Sequence, residues 1–352
     1  MNLDDFNQFS RLDSQNMYRE IHSLPDQLSF GWELGQSLPL TGLKPINNIV
    51  IAGMGGSAIG GDLLIEFIQE ECPVPVLLHR DYDLPGWVSG ENTLVVACSH
   101  SGNTEETLSS FWRARKNGCQ IVIISTGGEL VKLSQEFGYT SWIFQHKGQP
   151  RAAIGYSFGL LLALFYRLHL IKNPIHQVED AITNMNTAQQ AYLAEVPVIH
   201  NPAKRLAGQL IDRDITIMGA GFLNVVARRW KCQINEIAKS WAEYEYLPEA
   251  DHNTVAGLTN PEDILYRRIV IFLQSSLLHP RNLLRSRITQ EKLMVEGLNT
   301  DSIEAKGNTI LAHLWSTLQL GDYVAFYLAM LYDMDPTPIP TILELKMALS
   351  NG

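Results

Sequence analysis

The chain reads as an α/β protein built of two doubly wound parallel-sheet subdomains with flanking helices. Three observations predict this. Short apolar runs alternate with helix-like segments of ten or more residues, as parallel sheets require. Several of the runs end in glycine or small hydroxyl residues, the usual composition of a strand-to-helix turn. The pattern of the first half returns in the second, where "DITIMGAGFLNVVARRWKCQINEIA" (214–238) echoes "NIVIAGMGGSAIGGDLLIEF" (48–67), with Gly219 and Gly221 answering Gly53 and Gly55.

Residues 1–45 read as a helical, peripheral segment. "NNIVIAG" (47–53) is a buried strand and "SAIGGDLLIEFIQEE" (57–71) the helix after it. "VPVLLHRDY" (74–82) and "NTLVVACS" (92–99) are the next strands, and "TEETLSSFWRARKNG" (104–118) a helix. "CQIVIISTGG" (119–128), "ELVKLSQEFG" (129–138) and "YTSWIFQ" (139–145) continue as strand, helix and short strand. In the repeat, "RRIVIFLQSSL" (267–277) takes the place of the third strand. The expected organisation is an N-terminal segment 1–45, a first sheet domain 46–171, a linker helix 172–200 and a second sheet domain 201–352.

Composition narrows the class. With 352 residues, 45% of them hydrophobic, the chain can bury two cores. Its net charge of −10 argues against a nucleic-acid or anionic-membrane surface, and an anionic small molecule would need local donors. The four cysteines, Cys72, Cys98, Cys119 and Cys232, form no CxxC pair. With the polar N-terminal stretch "MNLDDFNQFSRLDS", this predicts a reduced, cytoplasmic protein. An apolar, uncharged run of 15 residues between Arg151 and Arg167 is too short to span a bilayer and predicts a buried helix.

Two loops carry the chemistry. "GMGGSA" (53–58) fits the G-x-G-x-x-A form of a dinucleotide fingerprint: its glycines admit an anion close to the backbone, and a helix N-terminus follows. A dehydrogenase would also place an acid near the end of the second strand, where Asp81 stands. The alternative is a tight strand–helix turn without any ligand. "SHSGNTEET" (99–107) follows the third strand and so lies at the same carboxyl edge. Ser99, Ser101 and Thr104 offer hydroxyls to one phosphate, and the N–H groups around Gly102 and Asn103 offer more. Asn103 and Glu106 have capping-box spacing. Glu105 and Glu106 suit the helix dipole but oppose a nearby phosphate.

"SHSGNTEET" resembles the S-x-S-G-N-T-x-E-T signature of sugar isomerase (SIS) domains, and "GMGGSAIGGD" their first loop. "QPRAA" (149–153), "NEIAKSWAEYEYLPEADHN" (235–253) and "DPTPIPTILELKMAL" (335–349) resemble, in the same order, segments of the bifunctional phosphoglucose/phosphomannose isomerases. The resemblance covers nearly the whole chain after about residue 45. It implies two SIS-like halves, a homodimer, and aldose–ketose isomerisation with neither metal nor cofactor. Glu236 matches the family's catalytic glutamate, which carries a proton between C1 and C2 of the open sugar. A carboxylate in a partly buried setting suits such work. His252 matches the ring-opening histidine, which the family supplies from the partner subunit; histidine exchanges protons near neutral pH. Lys346 matches the lysine assigned to the ring oxygen or to binding, and Arg151 the arginine that steadies enediolate charge. Gly56, Ser57, Ser99, Ser101 and Thr104 form the phosphate side. The chain departs from the family's His-Asn-Glu at Thr254, which bears on how His252 is held. The competing functions are a phosphosugar-binding regulator without catalysis and an NAD-dependent dehydrogenase. A glutamine-hydrolysing domain is not expected, since residue 2 is Asn and residues 1–45 leave no room for one.

Overall fold

A computed structural model of the chain describes residues 2–40 and 42–350. Helices α1 (Phe9–Leu12), α2 (Met17–His22) and α3 (Leu24–Ser37) precede strand β1 (Asn48–Gly53). Then follow α4 (Gly55–Ile68), β2 (Val76–His79), β3 (Thr93–Ser99), α5 (Glu105–Lys116), β4 (Gln120–Ser125), α6 (Gly128–Phe137) and β5 (Thr140–Ile143). Helices α7 (Ile154–Arg167), α8 (Ile175–Gln189) and α9 (Pro202–Leu210) lead to β6 (Asp214–Ala220), α10 (Asn224–Ile237) and β7 (Ala242–Leu247). The chain continues through α11 (Glu262–Leu265), β8 (Arg268–Gln274), α12 (Pro280–Val295), β9 (Asn299–Glu304), α13 (Ile310–Leu331) and α14 (Pro340–Ser350).

The chain forms two compact units. One comprises Ser23–Thr183 with Asn308–Ala312; the other comprises the residues up to His22, Asn184–Gly307 and the chain from His313 on. In the first, all-parallel pairing gives the order β2-β1-β3-β4-β5. Every residue of β3 is buried, and β1 and β4 are buried after their first residue. This is the mark of central strands with both faces covered. Val50, Val95, Ile121, Phe111 and Leu130 form the core on one face. Within the expected N-terminal segment, α3 belongs to the body of this unit. Its Gly31 and Gly35 and α7's Gly155 and Gly159 bring the two backbones together: a Cβ on Gly159 would stand 2.6 Å from the Trp32 nitrogen. The long uncharged run accordingly lies inside α7, which buries eleven of its residues. Among the described residues, no helix is long and apolar enough to cross a membrane.

The second unit has the order β7-β6-β8-β9, again all parallel. β8 pairs with β6 as β3 pairs with β1, so "RRIVIFLQ" does hold the third-strand place. Strands β7 and β9 were not among the expected elements.

Candidate active site

In the first unit the two loops lie side by side at the carboxyl ends of β1 and β3. Helix α4 begins at Gly55, whose φ of +52° turns the chain out of β1. Gly56 is required by a close approach: a Cβ there would stand 2.5 Å from the Pro150 carbonyl oxygen and 3.2 Å from Arg151 Cα. The "PRA" turn (Pro150–Ala152) therefore sits directly on the first loop. The buried Ser57 hydroxyl accepts the His100 N–H at 3.2 Å, tying the first loop to the second.

The second loop is organised internally. The Ser99 and Thr104 hydroxyls are 2.8 Å apart. Gly102 N–H donates to Ser99 Oγ at 3.1 Å, and Asn103 N–H to Ser101 Oγ at 3.2 Å. The amides expected to face an anion thus serve the loop itself in this structure. Helix α5 starts after Thr104, with no side-chain cap. The Asn103–Glu106 capping box does not form, because Asn103 Oδ1 accepts the Glu129 N–H at 2.9 Å. That bond belongs to a clamp between the loops after β3 and β4. Thr126 N–H donates to His100 O and Leu130 N–H to Gly102 O, each at 3.0 Å. Gly102 (φ +69°) and Gly128 (φ +74°) fit against the Gly127 and Ser101 carbonyls, with no room for a Cβ on either. The structure thus brings Gly56, Ser57, Ser99, Ser101, Thr104 and the Arg151 backbone to one sheet edge. Ser99, Ser57 and Arg151 are buried, Ser101 is exposed and Thr104 half-buried. Asp81 is exposed, two residues beyond β2.

The remaining residues stand in the second unit. Glu236 is half-buried in the last turn of α10, where Lys239 Nζ closes the helix by donating to the Glu236 and Ile237 carbonyls at 2.9 and 3.2 Å. Helix α10 is held against α13. Arg229 and Asp322 form a buried ion pair, and Trp230 Nε1 donates to Thr317 O at 2.9 Å. Gly321 admits the Trp230 ring, which lies 2.3 Å from where a Cβ would be.

His252 is exposed and ends the turn Glu249–His252 after β7. The turn is anchored by Asp251, which accepts from Arg285 NH1 at 2.8 Å and Thr289 Oγ1 at 2.7 Å, both on α12. Thr254 N–H and Oγ1 bond Asn253 Oδ1, at 2.6 and 3.0 Å, and Asn253 Nδ2 donates to Glu249 at 3.0 Å. Glu236 and His252 are not brought together. Helix α10 returns the chain to the start of β7, so Glu236 lies at the amino edge of the sheet, whereas His252 lies beyond its carboxyl edge. The six residues of β7 separate those edges by roughly 17 Å or more. Lys346 is exposed on α14.

Two parallel sheets, the first with hydroxyl-lined loops at its carboxyl edge, place the chain in the SIS class. Residues 199–349 match the model of the bacterial phospho-glucose isomerase C-terminal SIS domain. The chain is 40% identical to the bifunctional phosphoglucose/phosphomannose isomerase of Caldicellulosiruptor bescii, over 95% of this chain and 99% of that one. It is 32% identical to the protein of the same name from Aquifex aeolicus, over 87% and 92%. A hypothetical protein of Thermus thermophilus shares the fold with a TM-score of 0.74 at 16% identity, covering 98% of this chain and 93% of that one. A glucose-6-phosphate isomerase like protein from the same organism does so at 0.64 and 17%, covering 96% and 98%. The chain belongs to the bifunctional phosphoglucose/phosphomannose isomerase family.

Proposed function

We propose that this chain interconverts glucose 6-phosphate and mannose 6-phosphate with fructose 6-phosphate, with Glu236 as the base. The observation that carries the reading is family membership over 95% of the chain, together with the hydroxyl loop on the sheet edge where phosphates bind. The ring opens when a proton leaves the anomeric hydroxyl and another reaches the ring oxygen. His252 and Lys346 are the groups for that exchange. Glu236 then takes the C2 proton, giving a planar enediolate, and returns it to C1. Removing the C2 proton erases the C2 stereocentre, so one carboxylate serves both epimers. Arg151 steadies the developing negative charge, and Gly56, Ser57, Ser99, Ser101 and Thr104 hold the phosphate.

The 17 Å or more between the sheet edges that carry Glu236 and His252 supports a homodimer in which each histidine serves the partner's glutamate. No metal or cofactor takes part in this scheme, and the protein acts in the cytoplasm with neither nucleic acid nor membrane as partner. An NAD-dependent dehydrogenase does not fit the family to which the chain belongs.

The test is fructose 6-phosphate formation from each aldose with EDTA present, beside Glu236→Gln. Turnover of both sugars that survives chelation and disappears in the variant is expected. Phosphosugar binding without turnover would instead identify a regulator, and Thr254 would be the first residue to restore to Glu.

A further inference from the structure

Next to the phosphate loop lies a histidine pair that the reaction scheme leaves unused. His100 Nε2 and His146 Nδ1 are 2.9 Å apart, with the rings nearly perpendicular. The contact joins two separate stretches, the loop after β3 and the strand-to-turn segment after β5. Phe144 and Tyr156 wall the pair, at 5.9 Å from His100 and 5.5 Å from His146. The His100 backbone N–H is bonded to Ser57, and His100 and Ser57 both line a cavity of about 10 Å³, room for one water, shared with Pro150 and Ser157.

The chemistry of an N···N contact is restrictive. One nitrogen must carry a hydrogen and the other must be bare. The neutral pair holds two ring protons, and the pair with one added proton holds three and a single positive charge. A fourth would set two N–H groups against each other and break the bond. The pair is therefore a site for one extra proton. The groups that line the cavity beside it are neutral. From β3 the cavity presents the Cys98 thiol, which burial pushes up to about 12 and so keeps neutral. Helix α7 presents Tyr156 and Ser157, and α4 presents Ser57. The carboxylates of the loop, Glu105 and Glu106, stand on the first turn of α5.

We infer that the His100–His146 pair takes up a proton from solvent when a phosphate dianion settles on the neighbouring loop, so that phosphosugar binding is coupled to protonation of the pair. The inference rests on the phosphosugar reading of the loop. A dianion favours the charged pair, and by linkage the charged pair favours the dianion to the same extent. It also offsets the repulsion from Glu105 and Glu106. Affinity for the sugar phosphate rises as pH falls toward the histidine range near about 6.5, until the ligand itself becomes a monoanion below about pH 6.

The experiment is titration calorimetry of the full chain with fructose 6-phosphate at about pH 7.5, where the ligand is mostly dianionic and free histidine mostly neutral. Buffers of differing ionisation enthalpy give the proton count. Wild type should take up a sizeable fraction of one proton per chain, and His146→Gln and His100→Gln should each lose most of that uptake. The wild-type dissociation constant should rise several-fold, up to about tenfold, between about pH 7 and pH 9, and the variants should be flat. Wild-type protein labelled with ¹⁵N-histidine reads the same event without a variant: ring signals should move to the cationic form on adding ligand. Binding with no proton uptake, with uptake unchanged in both variants, or with no imidazole shift overturns the inference and leaves the phosphosugar reading standing. Absence of fructose 6-phosphate binding overturns both.

Discussion

Arg229 on α10 and Asp322 on α13 meet at two points, Nε to Oδ1 at 3.2 Å and NH2 to Oδ2 at 2.8 Å, with side chains only 1% and 3% exposed. Glu236 lies seven residues further along α10, two helical turns, on nearly the same face. The ion pair therefore sets the rotation of the helix that presents the proposed base. Removing one partner strands a buried charge, which costs far more than the intact pair contributes. Asp322→Ala is expected to lower stability by about 3–5 kcal/mol, read from denaturant unfolding, and to lower kcat because Glu236 turns with its helix.

Gly102 is a second position where packing bears on the proposed site. Its φ of +69° disfavours any side chain, and an added Cβ would stand 1.9 Å from the Gly127 carbonyl oxygen. Neither problem yields to a side-chain rotation, because the opposing atom is backbone. Gly102→Ala should therefore push the loop after β3 off the loop after β4 and displace Ser99, Ser101 and Thr104 together. The expected outcome is a rise in KM for fructose 6-phosphate of tenfold or more, with a smaller change in kcat, from steady-state kinetics. A KM at the wild-type value would show that these hydroxyls do not hold the phosphate.

The strands β1, β3, β4, β6 and β8 were legible in the sequence as apolar runs, each buried over most of its length, and the edge strands β2 and β5 were legible as shorter apolar segments. Strands β7 ("AEYEYL") and β9 ("NTDSIE") escaped notice because they bury at most their end residues and carry charge and hydroxyl in the middle, where the edge strands β2 and β5 keep an apolar stretch. The two loops proposed to hold phosphate were readable as strand-to-helix turns because their composition is local, hydroxyls and glycines within a few residues of a strand end. His146 and Asp251 were not, since each acts on a residue or helix distant in sequence: His146 on His100, Asp251 on α12. The expected cap at Asn103 failed for the same reason, as its oxygen was claimed by Glu129 from the neighbouring loop.

Asp251 holds the turn that ends in His252 through two bonds to α12, from Arg285 and Thr289. Asp251→Ala leaves the following histidine on an unanchored turn. A group misplaced by about 1 Å loses much of its rate, so kcat should fall by tenfold or more while the Glu236-dependent exchange of the C2 proton in open-chain sugar is retained. Solvent deuterium exchange measured beside net turnover separates the two steps. A parallel loss of both would place Asp251 in folding rather than in ring opening.

Glu66 supplies a pH dependence that is independent of the reaction. Burial, reinforced by Asp62 one turn away on α4, raises its carboxyl from its ordinary value of 4.5 to about 7. Asp62 is itself paired with Arg80, so the guanidinium is already engaged. The raised value makes the folded chain hold a proton that the unfolded chain releases. Below 4.5 both states are protonated, and Glu66 has no effect on the balance. Between 4.5 and about 7 the unfolded state ionises first, and stability declines as pH rises. Above about 7 the folded state carries a buried charge beside Asp62, at a cost of up to about 3 kcal/mol. Glu66→Gln keeps the shape and removes the charge. Its midpoint of thermal unfolding should exceed that of wild type at about pH 8 by several degrees, and the gap should narrow toward zero as pH falls to about 5. A gap that stays constant over that range would show that Glu66 ionises normally in the folded chain.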